Sequence, residues 1–205
     1  MAKLYFYYGC VNSAKSLRLL STAYNFEEKG IPFMVMKSSI DTRDGDGVIK
    51  SRAGLERECI SVSPDLNIYS TIKETLEILN VQGVSKPKWI LVDECQFLSE
   101  EQVNQLSDVV DFFEINVMCF GLRTDFKSRL FPATKRLFEL GDEFEEVKSS
   151  CECGKKTSIN ARVDKDGNVQ TDGSQILVGG DDIYHPICRR CWKEKIKRLE
   201  QEQNG

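Results

Sequence analysis

The tightest constraint on the fold is an eight-residue segment, Gly9-Cys10-Val11-Asn12-Ser13-Ala14-Lys15-Ser16, that joins an apolar run to a helical pattern. Residues 4–8 read as a short strand. Leu17, Leu19, Leu20, Ala23, Tyr24 and Phe26 follow at mostly helical spacing until Gly30 ends the pattern. A strand that passes through a turn of small polar residues into a helix aims successive backbone amides and the helix N-terminus at one place, which is the context of a phosphate-binding P-loop. In that reading the amides of residues 9–16 wrap the phosphates, Lys15 supplies a point charge to the β and γ groups, and the Ser16 hydroxyl ligates Mg²⁺. The usual pattern has glycine where Ala14 stands. A methyl group is tolerated there if φ is negative and costly if the position needs φ > 0. Taken alone, the eight residues also fit an ordinary turn.

The rest of the chain repeats the alternation. Residues 31–36 form a second strand-length apolar run, and residues 38–54 are rich in Asp, Gly, Ser and Arg, as in an exposed functional loop that contributes no core. Ile72, Leu76 and Leu79 share a helical face. Residues 89–92 are continuously apolar and end in Asp93-Glu94, the pattern of a buried parallel strand with carboxylates at its carboxyl end. Ser99 with Gln102 forms a capping-box signature, so a helix starts near Glu100, and residues 115–120 form the next strand. This is an α/β fold of the P-loop NTPase (RecA-like) type, with a parallel sheet whose ligands bind beyond the carboxyl ends of the strands. Asp93 would reach a hydrated Mg²⁺, and Glu94, on the opposite face of the strand, would accept the proton of an attacking hydroxyl. A solvated strand end followed by a helix cap is the simpler alternative.

Charge and composition narrow the ligand class. With 28 basic and 32 acidic residues the formal net charge is −4, so the chain has no overall field for polyanions, and a small phosphorylated ligand suits it better than DNA. No run approaches the ~20 apolar residues of a membrane span, and the N-terminus lacks a signal-peptide pattern, so a cytoplasmic protein without membrane partners is expected. His185 is the sole histidine, which disfavours serine-histidine catalysis and excludes a paired-histidine metalloprotease.

From about residue 149 the pattern changes. A hairpin is expected across residues 162–169 around Asp166-Gly167, and Cys151/Cys153 and Cys188/Cys191 form two close pairs. Two knuckles with four thiolates suit a closed, structural Zn²⁺ site. Disulfides or free thiols remain open for the short Cys-x-Cys pair, and His185 is an alternative ligand. Cys10, Cys59, Cys95 and Cys119 are scattered singly and read as free thiols. The expected organisation is a P-loop α/β nucleotide-binding domain over 1–148, a small zinc-binding domain over 149–192 and a charged tail over 193–205.

The combination resembles the type II, zinc-containing thymidine kinases of the cytosol. The matching pieces are residues 9–16, Asp41-Thr42-Arg43, Asp93-Glu94-Cys95-Gln96-Phe97, Gly121-Leu122-Arg123-Thr124-Asp125-Phe126, the cysteine pairs, and Gly179-Gly180-Asp181-Asp182-Ile183-Tyr184-His185. They occur in family order over residues 3–192. The resemblance implies transfer of the ATP γ-phosphoryl group to the 5′-hydroxyl of thymidine. It makes Glu94 the general base, has Arg43 and Lys15 stabilise the moving phosphoryl, and adds Cys95 and Gln96 to the nucleotide-binding set. Val11, Phe97, Leu122, Asp125, Phe126, Val178, Gly179 and Tyr184 would hold thymidine. A homotetramer inhibited by thymidine triphosphate is likewise implied. Ala14, and Leu17 where relatives often carry Thr, depart from the family pattern. The competing reading is therefore a P-loop binding protein that lost catalysis through Ala14. A zinc-ribbon nucleic-acid ATPase is disfavoured by the acidic charge.

Overall fold

The computed structural model describes residues 1–177, 179 and 183–203. In chain order its first elements are β1 (Leu4–Gly9), α1 (Lys15–Glu28), β2 (Phe33–Ser38), β3 (Val48–Lys50), β4 (Glu56–Glu58), β5 (Ile60–Val62) and α2 (Ile68–Val81). They are followed by β6 (Trp89–Asp93), a 3₁₀ turn at Cys95–Phe97, α3 (Glu100–Phe113), β7 (Asn116–Leu122), α4 (Pro132–Leu140) and β8 (Glu143–Glu146). Last come β9 (Ile159–Arg162), β10 (Tyr184–Ile187) and α5 (Arg189–Gln203).

Six strands form one sheet in the order β5-β2-β6-β7-β1-β8, and every pairing in it is parallel. The carboxyl ends of β1, β2, β6 and β7 therefore lie along one edge. Burial on both faces explains the continuous apolar runs. In β6, Ile90 and Val92 join the larger core cluster with Val103 and Leu106 of α3, whereas Leu91 points the other way into a second cluster with Leu19, Leu20 and Ala23 of α1. The capping box at α3 is formed: the Ser99 hydroxyl accepts from Gln102 N–H and the Gln102 side chain accepts from Ser99 N–H.

Three parts of the fold differ from the sequence reading. Residues 38–54 do contribute core: β3 and β4 pair antiparallel, and Ile49 is 1% exposed in the α1-side cluster. A single inward-facing strand residue is enough to anchor a segment whose average composition is polar. The pair α4 and β8 was not anticipated, because Glu-Phe-Glu-Glu has no apolar run. β8 nonetheless adds to the edge of the sheet beside β1, where its acids pair with Lys3, Arg18 and Lys156. The turn expected near Asp166-Gly167 is present, with Asp164 N–H bonded to Asn168 O and a single bridge between Val163 and Val169. The main ladder of this region instead pairs β9 with β10, across a longer sequence separation.

Cys151, Ile159, Ala161, Val169, Ile187 and Cys188 form a separate small cluster, with Trp192 and Ile196 of α5 packed on it. Among the described residues, no helix is long and apolar enough to cross a membrane.

Candidate active site

A cavity of about 540 Å³ opens at the carboxyl edge of the sheet, a size suited to small-molecule ligands. Its lining starts with residues 11–17, the loop after β1 and the first turn of α1. Lys15 is 8% exposed, and its Nζ donates to Cys10 O at 2.7 Å and Ser13 Oγ at 3.3 Å. Burial lowers the lysine pKa, opposed by the charges of Glu94 and Asp93. Gly9 is required by close approach, since a Cβ there would lie 2.5 Å from both Ser13 Oγ and Val147 O. Ala14, the N-cap of α1, has φ 63° and ψ 27° and makes no side-chain cap bond. It is the costly case, a methyl group at a left-handed position, and Asn12 shares that conformation with φ 61°. Ala14 O nevertheless accepts from Arg18 N–H at 3.0 Å, so α1 begins as an ordinary helix.

The second element is the end of β6. Asp93 is buried and hydrogen-bonded to the Ser16 side chain, and burial with Glu94 alongside pushes its carboxyl up to about 7. Glu94 lies one residue beyond the strand with φ 49° and ψ 37°, so a left-handed turn, not strand alternation, separates it from Asp93. Both of its oxygens are held: Arg43 Nη2 lies 2.5 Å from Oε1, and Gln96 Nε2 donates to Oε2 at 2.5 Å. Gln96 Oε1 in turn accepts from Leu122 N–H at 2.9 Å. Gly121 leaves the room for this, because a Cβ there would meet Cys95 Sγ at 2.5 Å and Gln96 Oε1 at 2.7 Å. Arg43 also binds Asp41 through Nε at 2.6 Å and Nη2 at 3.1 Å, and Asp41 pairs with buried Lys37 at 3.1 Å. Burial works against the charge on Arg43, but Glu94 and Asp41 together raise its pKa. Burial likewise opposes ionisation of Asp41, and Arg43 with Lys37 outweighs it, so its pKa is lowered.

The far end of the cavity is aromatic. Phe97, Leu122, Asp125, Phe126, Phe131, Gly179 and Tyr184 line it together with Gln175, and Asn160 stands between this end and the phosphate loop. Phe126 is fully buried under Arg162, whose guanidinium carbon sits 3.8 Å from the ring centroid. Arg162 Nη2 also donates to Tyr184 OH at 2.7 Å, and that hydroxyl donates to Leu177 O at 2.9 Å. Gln175 Nε2 donates to Asp125 Oδ2 at 2.9 Å.

Of the residues expected to bind ligands, Val11 to Ser16, Arg43, Asp93, Glu94, Gln96, Phe97, Leu122, Asp125, Phe126, Gly179 and Tyr184 share this cavity. Gly9, Cys10 and Cys95 do not line it, and Val178 is outside the described residues, as are Gly180, Asp181 and Asp182. Sequence reasoning missed Lys37, Asn160, Arg162 and Gln175. Buried Lys37 lies within the otherwise apolar β2, and Asn160 and Arg162 alternate on a short buried strand, the sole signal that could have marked them.

The four thiols Cys151, Cys153, Cys188 and Cys191 lie within 4.8 Å of one another, and none is in a disulfide. Zinc–sulfur bonds of ~2.3 Å set the edges of a tetrahedron at about 3.8 Å, so the cluster fits a structural Zn²⁺ with no open position. Ser16 and Asp93 offer the hard oxygen donors that suit Mg²⁺.

A parallel sheet whose strands end at a phosphate loop and a buried carboxylate defines a P-loop nucleotide-binding protein, here with a four-cysteine lobe attached. The family model described as thymidine kinase matches residues 2–192, and the chain belongs to that family. Relatives named thymidine kinase include one from Haemophilus influenzae (strain 86-028NP), 43% identical over 97% of this chain and 100% of its own. One from Vibrio vulnificus (strain YJ016) is 42% identical over 96% and 99%. One from Streptococcus agalactiae serotype Ia is 41% identical over 93% and 96%.

Proposed function

We propose that this chain transfers the γ-phosphoryl group of ATP to the 5′-hydroxyl of thymidine, giving thymidine monophosphate and ADP. The observation that carries the reading is the continuity of one cavity from the phosphate loop, past Glu94, to the aromatic end. Glu94 is the general base. Each of its oxygens has one partner, Arg43 or Gln96, and retains a second lone pair for the nucleoside hydroxyl. Gln96 sets the direction of the carboxylate by bonding Leu122 N–H. Lys15 and Arg43 offset charge on the moving phosphoryl, so positioning and electrostatics make up the catalysis. Ser16 and Asp93 would hold Mg²⁺, which neutralises phosphate charge when bound. Phe97, Leu122, Phe126 and Tyr184 enclose the thymine ring, with Val11, Asp125 and Gly179 around its edges.

The reading divides the chain into a kinase domain over 1–148, a zinc-binding domain over 149–192 held by Cys151, Cys153, Cys188 and Cys191, and a tail from 193. Family membership supports a cytoplasmic homotetramer inhibited by thymidine triphosphate, without nucleic-acid or membrane partners. The family match over residues 2–192 favours an active enzyme over a binding protein impaired by Ala14. The test is thymidine-dependent transfer from Mg-ATP by the purified protein and by Glu94→Ala. A drop of about 10²–10⁴ in turnover with thymidine affinity retained is expected. Near-parental turnover in the mutant rules Glu94 out as the base.

A further inference from the structure

The small domain meets the phosphate loop at two neighbouring points, Thr157 beside the Cys10 thiol and Asn160 on the Val11 backbone. Asn160, in the middle of β9, is 1% exposed. Its Oδ1 accepts from Val11 N–H at 2.8 Å, and its Nδ2 donates to Thr124 O at 2.8 Å. The Val11 N–H belongs to the same peptide unit as Cys10 O, the acceptor of Lys15 Nζ at 2.7 Å. That unit is planar, so fixing its N–H fixes its carbonyl. Two residues on, on the same face of β9, Arg162 stacks on Phe126 and binds Tyr184. One strand thus braces both ends of the cavity, with Asn160 at the phosphate end.

We propose that Asn160 is a positioning residue for the phosphoryl donor: it locks the Cys10–Val11 peptide plane, and through it the Lys15 ammonium, in the geometry that receives the phosphates. The proposal rests on the kinase reading for its substrate. The Thr124 contact carries less weight, because residues 124–130 keep their own bridge between Thr124 and Leu130 and the bond from Asp125 N–H to Arg129 O. Asn160→Leu keeps most of the volume and removes both bonds.

The experiment compares the parent, Asn160→Leu and Arg162→Met by steady-state kinetics and by calorimetric titration with ADP, alongside metal content and circular dichroism. Asn160→Leu should raise the KM for ATP and the Kd for ADP about tenfold, the effect of one unmatched buried donor. Its KM for thymidine, which Val11 also borders in the kinase reading, should rise by a clearly smaller factor than the KM for ATP. Arg162→Met should do the reverse, raising the thymidine KM and leaving the ADP Kd within twofold. An ADP Kd within twofold of the parent in folded Asn160→Leu, or equal rises in both KM values, overturns the proposal. If Asn160→Leu fails to fold, amide hydrogen exchange of the unaltered protein decides. Strong protection of the Val11 N–H is expected, and unprotected exchange refutes the lock. A parent that binds ADP but lacks thymidine-dependent transfer sinks the kinase reading instead, and ADP affinity and Val11 protection still decide the role of Asn160.

Discussion

Replacing Ala14 by glycine should stabilise the protein, since glycine is the better residue both at an N-cap and at a left-handed position. Ala14 sits at φ 63° and ψ 27°. An L-residue in that region costs roughly 1–2 kcal/mol relative to its right-handed conformation, a penalty glycine does not have. Glycine in turn loses ~0.4–1 kcal/mol through the greater freedom of the unfolded chain. The difference of the midpoints leaves a net gain of about 0.8 kcal/mol, or roughly 2–3 °C in Tm for a chain of this size. Because the left-handed turn is already adopted, the loop need not move, and kcat should remain within about threefold of the parent. Ala14→Val should go the other way, since a branched Cβ is strained further at positive φ. Thermal melting of the three proteins, each with and without saturating ADP, measures the series. A glycine variant that melts lower than the parent would show that Ala14 has negative φ in solution and refute the reasoning.

Other perturbations test the remaining supports. Gly9→Ala places a Cβ 2.5 Å from the backbone oxygen of Val147, which cannot rotate away, so a loss of about 1–3 kcal/mol is expected in urea unfolding; an unchanged midpoint would contradict the packing. Lys37→Met leaves the buried Asp41 carboxylate with Arg43 alone, and should cost about 3 kcal/mol at neutral pH; a neutral result would mean that desolvation of the pair cancels its attraction. Cys188→Ser removes one of four clustered thiols. Metal analysis should then show loss of zinc, with a lower Tm, and unchanged zinc content would remove the cluster from that role.

Local chemistry was legible where a residue's role depends on its immediate neighbours in the chain. The Ser99 and Gln102 capping box, the strand-loop-helix around Lys15 and the apolar run ending in Asp93 each declare themselves within a few residues. The core residue Ile49 and the edge strand Glu143–Glu146 did not, because an isolated apolar residue and a run of acids carry no periodicity. Asn160 and Arg162 were invisible for a different reason. Their partners lie 149 residues away at Val11 and 22 away at Tyr184, and nothing in Ile-Asn-Ala-Arg distinguishes a brace from a polar strand.

The sequence by itself determined the fold class, the phosphate loop, the acidic strand end and the cysteine knuckles, because spacing along a strand or helix follows directly from backbone geometry. Only the tertiary structure decided the sign of φ at Ala14 and the left-handed turn that aims Glu94 away from Asp93. It also decided the clamp of Arg43 and Gln96 on that base, and the strand that ties the four-cysteine lobe to both ends of the cavity. Each of these depends on which side chains meet across the parallel sheet's edge, and a burial-driven fold brings those together from segments with no local relation to one another.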